Sequence, residues 1–393
     1  MSIIASQRVR SIGGYAFAEV DKKVTELTAQ GITPIDLGVG DPRNPTPVIV
    51  RRACQEAVDR HAATGYPSYV GGPSFREAVA TWTEARHGVT LDPETDICST
   101  IGSKEGIFHF GECFVDPGDL VLVPSPGYPP YQRGTHFAEG SCWMMPLRED
   151  AGFLPDLDSI PEEICKRAKI LWLNYPNSPS GALAPPEFFE KAIRFAHDND
   201  IVLASDEAYS EIYFTEDKPH SLLEFTREGV IVFQSLSKRS AMTGYRLGWV
   251  AGDPAIVDIF KKVKTNVDSG TPNFVQEAGI AALGDEEHVE SMRNEYREKR
   301  DLFCGALVEA GLPDCTPDST IYVWQRVPGG MDAVDFATRL LDPEVAIVCT
   351  PGPWISDVVA DGSNPGDGYV RFALVLSVEE TREAAKRLTS LKL

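Results

Sequence analysis

The sequence has few basic residues for its length, which limits the partners that it can bind. Lysine and arginine total 37 against 58 aspartates and glutamates, so the formal net charge is −21 over 393 residues. A surface of this sign repels nucleic-acid backbones and anionic membranes, and we expect neither as a partner. An anionic small molecule would need a local cationic pocket, which makes each well-placed arginine informative.

Paired cysteines and long apolar runs are also missing. The eight cysteines are scattered, with no C-x-x-C pair and no histidines clustered beside them. In a chain of this length the pattern predicts free thiols in a reducing compartment and no metal site. No eighteen apolar residues follow one another, and the first twenty residues lack a long apolar core followed by a cleavage site. We therefore expect a cytoplasmic protein.

The middle of the chain has the alternating pattern of an α/β fold. Apolar residues make up 42% of the sequence, enough for a sizeable core. From about residue 97, short β-rich runs alternate with helical segments, and the runs at 119–125, 168–176, 200–209 and 229–237 are apolar almost throughout. This pattern predicts strands buried on both faces of a mainly parallel sheet that is flanked by helices.

The two ends of the chain predict a second, smaller domain. After residue 285 a long charged helix precedes strands separated by Pro/Gly turns, and a helix follows from about Val378, which is an α+β pattern. An N-terminal helix is indicated by apolar residues at helical spacing, namely Phe17, Val20, Val24 and Leu27. The predicted division is a large domain over 46–285 and a small α+β domain made of 1–45 and 286–393.

Three segments place polar residues at predicted strand ends, where ligands bind in open α/β sheets. In IGSKEGIFHF, Ser103 and Lys104 precede a helical run whose N–H groups favour a phosphate, although helix capping explains the same residues. In NYPNSPSGA, Asn177 is a candidate ligand-binding amide or part of a structural turn. In SDEAYSEIYF, Asp206 follows a buried run and needs a positive or hydrogen-bonding partner, with helix capping as the alternative.

The segment SLSKRSAMTGYRLGW, residues 235–249, contains a lysine and an arginine at the end of another predicted strand. A lysine at the base of a cleft loses its proton more easily than a surface lysine and forms a Schiff base with an aldehyde, which makes Lys238 a candidate nucleophile. Arg246 and Ser235 would bind a phosphate on the same side of the turn. A basic surface loop is the competing interpretation.

Taken together, these residues describe a single ligand. It would have an aldehyde for Lys238, a phosphate for Arg246 and the serines, a ring nitrogen for Asp206, and a ring hydroxyl for Asn177 and Tyr209. Pyridoxal 5'-phosphate carries all four groups, and a lysine Schiff base with an acidic partner at the pyridinium nitrogen is characteristic of its sites.

The order of motifs resembles one enzyme family over nearly the whole chain. The segments are GVGDPRNPTP, GYPSYVGGPSFREA, IGSKEGI, PSPGYPPY, NYPNSPSGA, SDEAYSEIYF, SLSKRSAMTGYRLGW and YVRFALV. This order is similar to that of the class I/II aminotransferases, the fold-type I group dependent on pyridoxal phosphate. The resemblance implies a large domain with a mainly parallel seven-stranded sheet, a smaller α+β domain, and amino transfer between an amino acid and a 2-oxo acid.

The resemblance also implies roles for individual residues. Lys238 matches the Schiff-base lysine and general base, Asp206 the pyridinium partner, and Tyr128 the aromatic residue stacked over the ring. Further positions match the ring oxygen (Asn177, Tyr209), the phosphate (Ser103, Lys104, Ser235, Ser237, Arg246) and the substrate α-carboxylate (Arg371, Gly40, Asn177, Asn273). Tyr66 matches a tyrosine that reaches the partner subunit's phosphate, which implies a homodimer with shared sites. A structural salt bridge is the alternative for Arg371.

Some positions depart from the family pattern, and the motifs favour one branch of the family. Ser178 and Ser180 stand where Asn and Thr are more frequent, and Arg239 stands where Thr is usual, so that it could alter the phosphate rim. Within the family, the motifs most resemble the diaminopimelate branch of lysine biosynthesis, with the LL-diaminopimelate enzymes before the N-succinyldiaminopimelate enzymes. Aspartate or aromatic aminotransferases and, less favoured, fold-type I lyases are the alternatives, since fold does not fix reaction.

Overall fold

The computed structural model of the protein describes residues 3–10, 12 and 18–391, and Phe17 of the predicted N-terminal helix lies outside them. The helices are α1 (Gln7–Arg10), α2 (Ala18–Ala29), α3 (Val48–Arg60), α4 (Pro73–His87), α5 (Ser103–Phe114), α6 (Pro129–Phe137), α7 (Glu162–Cys165), α8 (Pro186–Asp198), α9 (Leu236–Arg239), α10 (Pro254–Val267), α11 (Asn273–Leu283), α12 (Glu287–Glu309), α13 (Ala333–Leu340) and α14 (Val378–Leu388). The strands are β1 (Ile35–Asp36), β2 (Ile97–Thr100), β3 (Leu120–Ser125), β4 (Ser141–Pro146), β5 (Ala168–Asn174), β6 (Val202–Asp206), β7 (Val230–Ser235), β8 (Gly248–Gly252), β9 (Tyr322–Arg326), β10 (Ile347–Val348), β11 (Thr350–Pro351) and β12 (Tyr369–Ala373).

Within the described residues, the main sheet has seven strands in the order β2-β8-β7-β6-β5-β3-β4. Its central strands pair in parallel, while β8 runs antiparallel to both of its neighbours. Every residue of β3 and β7 is buried, because helices cover both faces of the sheet. The mainly parallel α/β sheet predicted from the four apolar runs is confirmed.

The parallel arrangement decides where polar residues meet. Strands β5, β6 and β7 are neighbours, so their carboxyl ends lie at one edge of the sheet. Asn174, Asp206 and Ser235 are the last residues of these strands and are buried. The predicted runs extended two or three residues past these ends, because the apolar character continues into the turns while the ladder of hydrogen bonds stops.

The N-terminal segment packs with the C-terminal part of the chain. Strand β1 pairs in parallel with β10, and β12 lies between β11 and β9 in a separate antiparallel sheet. One apolar cluster joins Leu37 to residues of α12, β9, β12 and α14. Two further clusters fill the faces of the main sheet. The domain boundaries at 45/46 and 285/286 stay a prediction.

Two general features of the described chain complete the architecture. None of its helices combines the length and the apolar character needed to cross a membrane. The eight cysteines, all within the described ranges, are free thiols, and four of them are buried: Cys98, Cys165, Cys304 and Cys349.

Candidate active site

A cavity of about 700 Å³ opens at the carboxyl edge of the main sheet. Its walls come from the ends of β5, β6 and β7, the start of α5, the loop after β1, and strands β9 and β12. This size and position fit a small-molecule site in an α/β fold. The cavity brings together most of the predicted site residues: Gly40, Ser103, Lys104, Tyr128, Asp206, Tyr209, Ser235, Ser237, Lys238, Arg246 and Arg371.

Lys238 lies at the centre of the cavity on the short helix α9. Its Nζ donates a hydrogen bond to the Gly40 carbonyl at 2.7 Å, which holds the amine toward the loop after β1. Burial lowers the pKa of Lys238, and the charges of Arg371 and Arg246 lower it further. An amine of this kind is neutral more often than a surface lysine, which suits a nucleophile and a proton acceptor.

Asp206 lines the cavity, and Tyr131, which does not line it, contacts the Asp206 carboxyl group. The Tyr131 hydroxyl donates to Asp206 Oδ2 at 2.7 Å, and the Ala208 amide donates to Oδ1 at 3.2 Å. Burial raises the pKa of Asp206 to about 6, and these two hydrogen bonds oppose the rise. The carboxyl group does not cap a helix, so the alternative role for Asp206 does not apply. A buried acid at this position favours a cationic ligand group beside it.

An anion-binding end of the cavity is built around the start of α5. Ser103 and Lys104 are the first two residues of this twelve-residue helix, so their N–H groups lack helical partners. Gly102 before them has φ +70°, and a methyl group there would overlap the Arg246 guanidinium. Arg246 Nη1 also lies 3.4 Å from Ser237 Oγ. Backbone donors, hydroxyls and a guanidinium thus face one space, the combination that binds phosphate.

The opposite end of the cavity contains Arg371 on β12. Its Nη2 donates to the Gly38 carbonyl at 2.9 Å, while Nε is buried without a hydrogen-bond partner among the described residues. The guanidinium carbon lies 4.6 Å from the ring centroid of Tyr322. No carboxylate of the described chain forms a salt bridge with Arg371, so the salt-bridge alternative is not supported. A guanidinium that lines the cavity without a carboxylate partner suits a carboxylate ligand.

Asn177, predicted to face the ligand, is not among the residues that line the cavity, and its role at the ring oxygen and the substrate stays a prediction. Asn177 is buried, but its Oδ1 accepts hydrogen bonds from Ser180, and its Nδ2 donates to the Asn174 carbonyl at 3.2 Å. Its amide is thus used inside the turn at 174–182, as the alternative interpretation held. Asn174 and Ser178 line the cavity instead. Asn174 ends β5, so the rule that ligands bind at strand ends selects it over Asn177.

Two further predicted residues, Tyr66 and Asn273, do not line the cavity of their own chain. The Tyr66 side chain is 84% exposed. Asn273 begins α11, and its Nδ2 lies 3.4 Å from Thr64 Oγ1. The two residues therefore occupy one surface patch, the 64–66/273 patch. A single chain leaves this patch facing outward.

Arg239 does not reach the phosphate end, contrary to the expectation that it could alter the rim. Its side chain is 3% exposed and points away from the cavity. Nη1 donates to the Ala282 carbonyl at 2.7 Å, and Nη2 pairs with Glu286. The guanidinium also lies 5.5 Å from the Trp82 ring. Arg239 ties α9 to the junction between α11 and α12.

Sequence reasoning missed Tyr131 and Tyr322. Tyr131 follows Tyr128 by three residues, which places the two side chains on the same side at the start of α6. This spacing could have indicated that Tyr131, like Tyr128, lies close to Asp206. Tyr322 is the first residue of β9, outside every motif, and it lines the cavity. Its sequence context, an apolar strand, predicts only core packing.

Comparison with known proteins identifies the family. A family model described as aminotransferase class I and II matches residues 32–388. The chain belongs to the class I and II aminotransferases. Members of this family transfer an amino group between an amino acid and a 2-oxo acid, so the protein is a transaminase, as the motif order predicted.

The relatives and structural neighbours of this aminotransferase agree over almost its full length. An LL-diaminopimelate aminotransferase from Aquifex aeolicus is 46% identical, with 99% of both chains covered. A structure of a probable N-succinyldiaminopimelate aminotransferase from Thermus thermophilus is 33% identical with a TM-score of 0.87, covering 96% of this chain and 100% of the other. A variant of Thermus thermophilus aspartate aminotransferase has a TM-score of 0.90 at 30% identity, with both chains fully covered. The fold-type I architecture is thereby confirmed.

Proposed function

We propose that this aminotransferase binds pyridoxal 5'-phosphate in the cavity around Lys238 and transfers an amino group to or from LL-diaminopimelate in lysine biosynthesis. The 46% identity over 99% of a relative named for this substrate supports the proposal. A relative with the same name from Syntrophobacter fumaroxidans is 43% identical over both full chains. The reaction pairs with glutamate and 2-oxoglutarate and takes place in the cytoplasm.

N-succinyldiaminopimelate is the second candidate substrate. The observation that favours it is the likeness to a Thermus thermophilus structure of that probable activity, at 33% identity. Aspartate is a third, because an aspartate aminotransferase shares the fold at 30% identity. The higher identity of the LL-diaminopimelate relatives places that substrate first.

The side chains around the cavity fit pyridoxal phosphate. The absence of a side chain at Gly102 lets the Arg246 guanidinium lie beside the start of α5. The first residues of α5, Ser235, Ser237 and Arg246 line the same cavity and together offer N–H, hydroxyl and guanidinium donors to a phosphate. Asp206 would hold a protonated ring nitrogen, and Lys238 would hold the aldehyde carbon. When bound, the cofactor supplies an electron sink that stabilises negative charge at the substrate α-carbon.

The residues of the chain then perform binding and proton transfer. Arg371 binds the substrate α-carboxylate through its guanidinium, and the carbonyls of Gly38 and Gly40 keep Arg371 and Lys238 oriented. The Lys238 amine accepts the α-proton as a general base and later returns a proton as a general acid. Because burial lowers the pKa of this lysine, the neutral base is available nearer to neutral pH than in water.

We further propose a homodimer in which each subunit completes the site of its partner. The exposed 64–66/273 patch carries the two predicted ligand residues that the cavity of the same chain does not use. Apolar side chains are exposed nearby on α3 and in the following loop: Val48, Ile49, Val58, Tyr66 and Tyr69. Such an exposed apolar surface on a folded chain is typical of a subunit interface.

A donor titration tests the chemistry and the substrate together. Purified protein is incubated with pyridoxal phosphate, and its visible absorption is followed while LL-diaminopimelate, N-succinyl-diaminopimelate, aspartate and aromatic amino acids are added in turn. We expect a visible band that LL-diaminopimelate converts most efficiently. Lys238→Ala should lose both the band and the conversion, since it lacks the amine.

The control variant is Lys262→Ala, which removes an exposed lysine of α10 outside the cavity and should retain the band. A band that persists in Lys238→Ala would refute the role of this lysine. A clear preference for N-succinyl-diaminopimelate or aspartate would replace the proposed substrate but leave the cofactor proposal in place.

A further inference from the structure

Tyr322 lines the cavity together with Arg371, which is proposed to bind the substrate carboxylate, and Lys238, which is proposed to react. Its side chain is 6% exposed. Its hydroxyl oxygen lies 3.2 Å from that of Tyr209. The hydroxyl also contacts Gly40 so closely that a methyl group on this glycine would overlap it. Gly40 is the residue whose carbonyl holds Lys238. The phenol thus contacts the same short loop that positions the amine.

The register between β9 and β12 explains the position of the ring. Tyr322 pairs with Ala373, so Arg371 lies diagonally across the strand pair on the same face. The guanidinium carbon of Arg371 is 4.6 Å from the centroid of the ring, within the range of a cation–π contact. The ring therefore supports the guanidinium from one side while the Gly38 carbonyl fixes Nη2.

The electrostatic surroundings of the hydroxyl are unusual for a buried tyrosine. Burial by itself raises the pKa of Tyr322, but the positive charges of Arg371 and Lys238 and the hydrogen bond with Tyr209 outweigh it, and the net pKa is lowered. The titratable groups that face Tyr322 are Arg371 on β12, Lys238 on α9, Tyr209 after β6, Tyr128 before α6 and Tyr296 on α12.

The influence is mutual. Burial lowers the pKa of Lys238, and Tyr322 opposes this fall more strongly than Asp41, the other group that raises it. Negative partial charge on the Tyr322 oxygen favours the ammonium form of Lys238. That form arises whenever the amine takes up a proton, so a group that stabilises it assists the general base.

We propose that Tyr322 is a positioning residue whose two parts act separately: the ring supports Arg371 for carboxylate binding, and the hydroxyl stabilises the protonated amine of Lys238. The inference rests on the proposed roles of Lys238 and Arg371. It gives β9, which contains none of the sequence motifs, a function in the site.

Two substitutions separate the two parts. Tyr322→Phe keeps the ring and removes the hydroxyl, while Tyr322→Leu removes both. Both variants are studied without added cofactor, so that neither measurement depends on turnover. The first measurement is the pH dependence of Lys238 modification by trinitrobenzenesulfonate, quantified at this residue by mass spectrometry. The second is the dissociation constant of glutarate, a dicarboxylate that cannot react, by titration calorimetry.

We expect Tyr322→Phe to bind glutarate as the wild type does but to lower the pKa of Lys238. Its labelling rate below that pKa should rise by about threefold or more, because a lower pKa leaves more of the amine neutral at a given pH. We expect Tyr322→Leu to weaken glutarate binding by about tenfold, as for the loss of a partly buried cation–π contact. If Tyr322→Leu does not fold, Tyr322→Met replaces it.

Each result decides one part of the inference. An unchanged Lys238 pKa in Tyr322→Phe overturns the role of the hydroxyl, and wild-type glutarate affinity in Tyr322→Leu overturns the role of the ring. A wild-type protein that binds no glutarate refutes carboxylate binding at Arg371, and with it the role of the ring, while the labelling still decides the hydroxyl. Failure of the cofactor proposal changes neither readout.

Discussion

Asp206 shows how one residue opposes stability for the sake of a site. Its folded pKa, about 6, exceeds the ordinary aspartate value because burial disfavours the carboxylate. The folded protein therefore binds this proton more tightly than the unfolded chain. The resulting stabilisation is fully present below about pH 4 and is lost as pH rises through the folded pKa of about 6.

Asp206→Asn should remove this pH dependence. In protein without cofactor, we expect the variant to gain stability relative to wild type between pH 4 and pH 7, by up to about 3 kcal/mol. Urea unfolding across this pH range measures the difference. Tyr131→Phe is the companion variant: without the hydrogen bond at 2.7 Å the Asp206 pKa should rise further, and the loss of stability should grow. Parallel curves for wild type and Asp206→Asn would argue against a raised pKa.

At the scale of elements, α9 and the turn after it place two arginines in different surroundings. Arg239 at its end packs under the α11–α12 junction, whereas Arg246, seven residues later, adopts φ +56° and faces the anion-binding end. The left-handed conformation of Arg246 turns the chain back toward α5. Two arginines from one motif therefore serve different parts of the molecule.

Arg239→Met should therefore change stability, and Arg246→Gln should change the affinity for pyridoxal phosphate. We expect Arg239→Met to lower the free energy of unfolding by about 1–3 kcal/mol, because the Ala282 carbonyl and Glu286 lose their buried partner, with pyridoxal phosphate affinity unchanged. We expect Arg246→Gln to weaken that affinity by about 10- to 100-fold with stability unchanged. Calorimetry and urea unfolding of both variants measure the four values. Loss of affinity in Arg239→Met would return this residue to the phosphate rim.

At the scale of the whole molecule, two predicted site residues, Tyr66 and Asn273, lie outside the cavity of their own chain. The cavity contains Lys238, Asp206 and the two arginines Arg246 and Arg371, but the 64–66/273 patch lies outside it. A twofold dimer places the same patch of each subunit against the other, so a residue of one chain can serve the site of its partner.

Hybrid dimers test this arrangement. Co-expressed Lys238→Ala and Tyr66→Leu subunits should recover about a quarter of wild-type activity, since half of the dimers are hybrids with one intact site each. Lys238→Ala co-expressed with Arg371→Leu is the matched control and should stay inactive, because both residues serve the site of their own chain. Equal recovery in the two mixtures, or none in either, would contradict shared sites.

Much of the fold and the site follows from the sequence because the signals are local. Apolar runs buried on both faces predict parallel strands, and polar residues directly after such runs predict a ligand edge; Asp206, Ser235 and Lys238 were located in this way. Ser103 and Arg246 were located by the chemistry of phosphate. The family resemblance assigned Arg371 and Tyr128 to the site.

The tertiary structure decided the rest, because it depends on pairing between distant segments. Whether Asn174 or Asn177 faces the cavity depends on where the β5 ladder ends and the turn begins. Whether Arg239 lies at the phosphate end or beneath it depends on how α9 packs on α11 and α12. Tyr322 enters the site only because β9 pairs with β12 in the register that places it diagonal to Arg371. Local composition determines which elements form, but the contact between a strand residue and an arginine about fifty positions away is determined by packing.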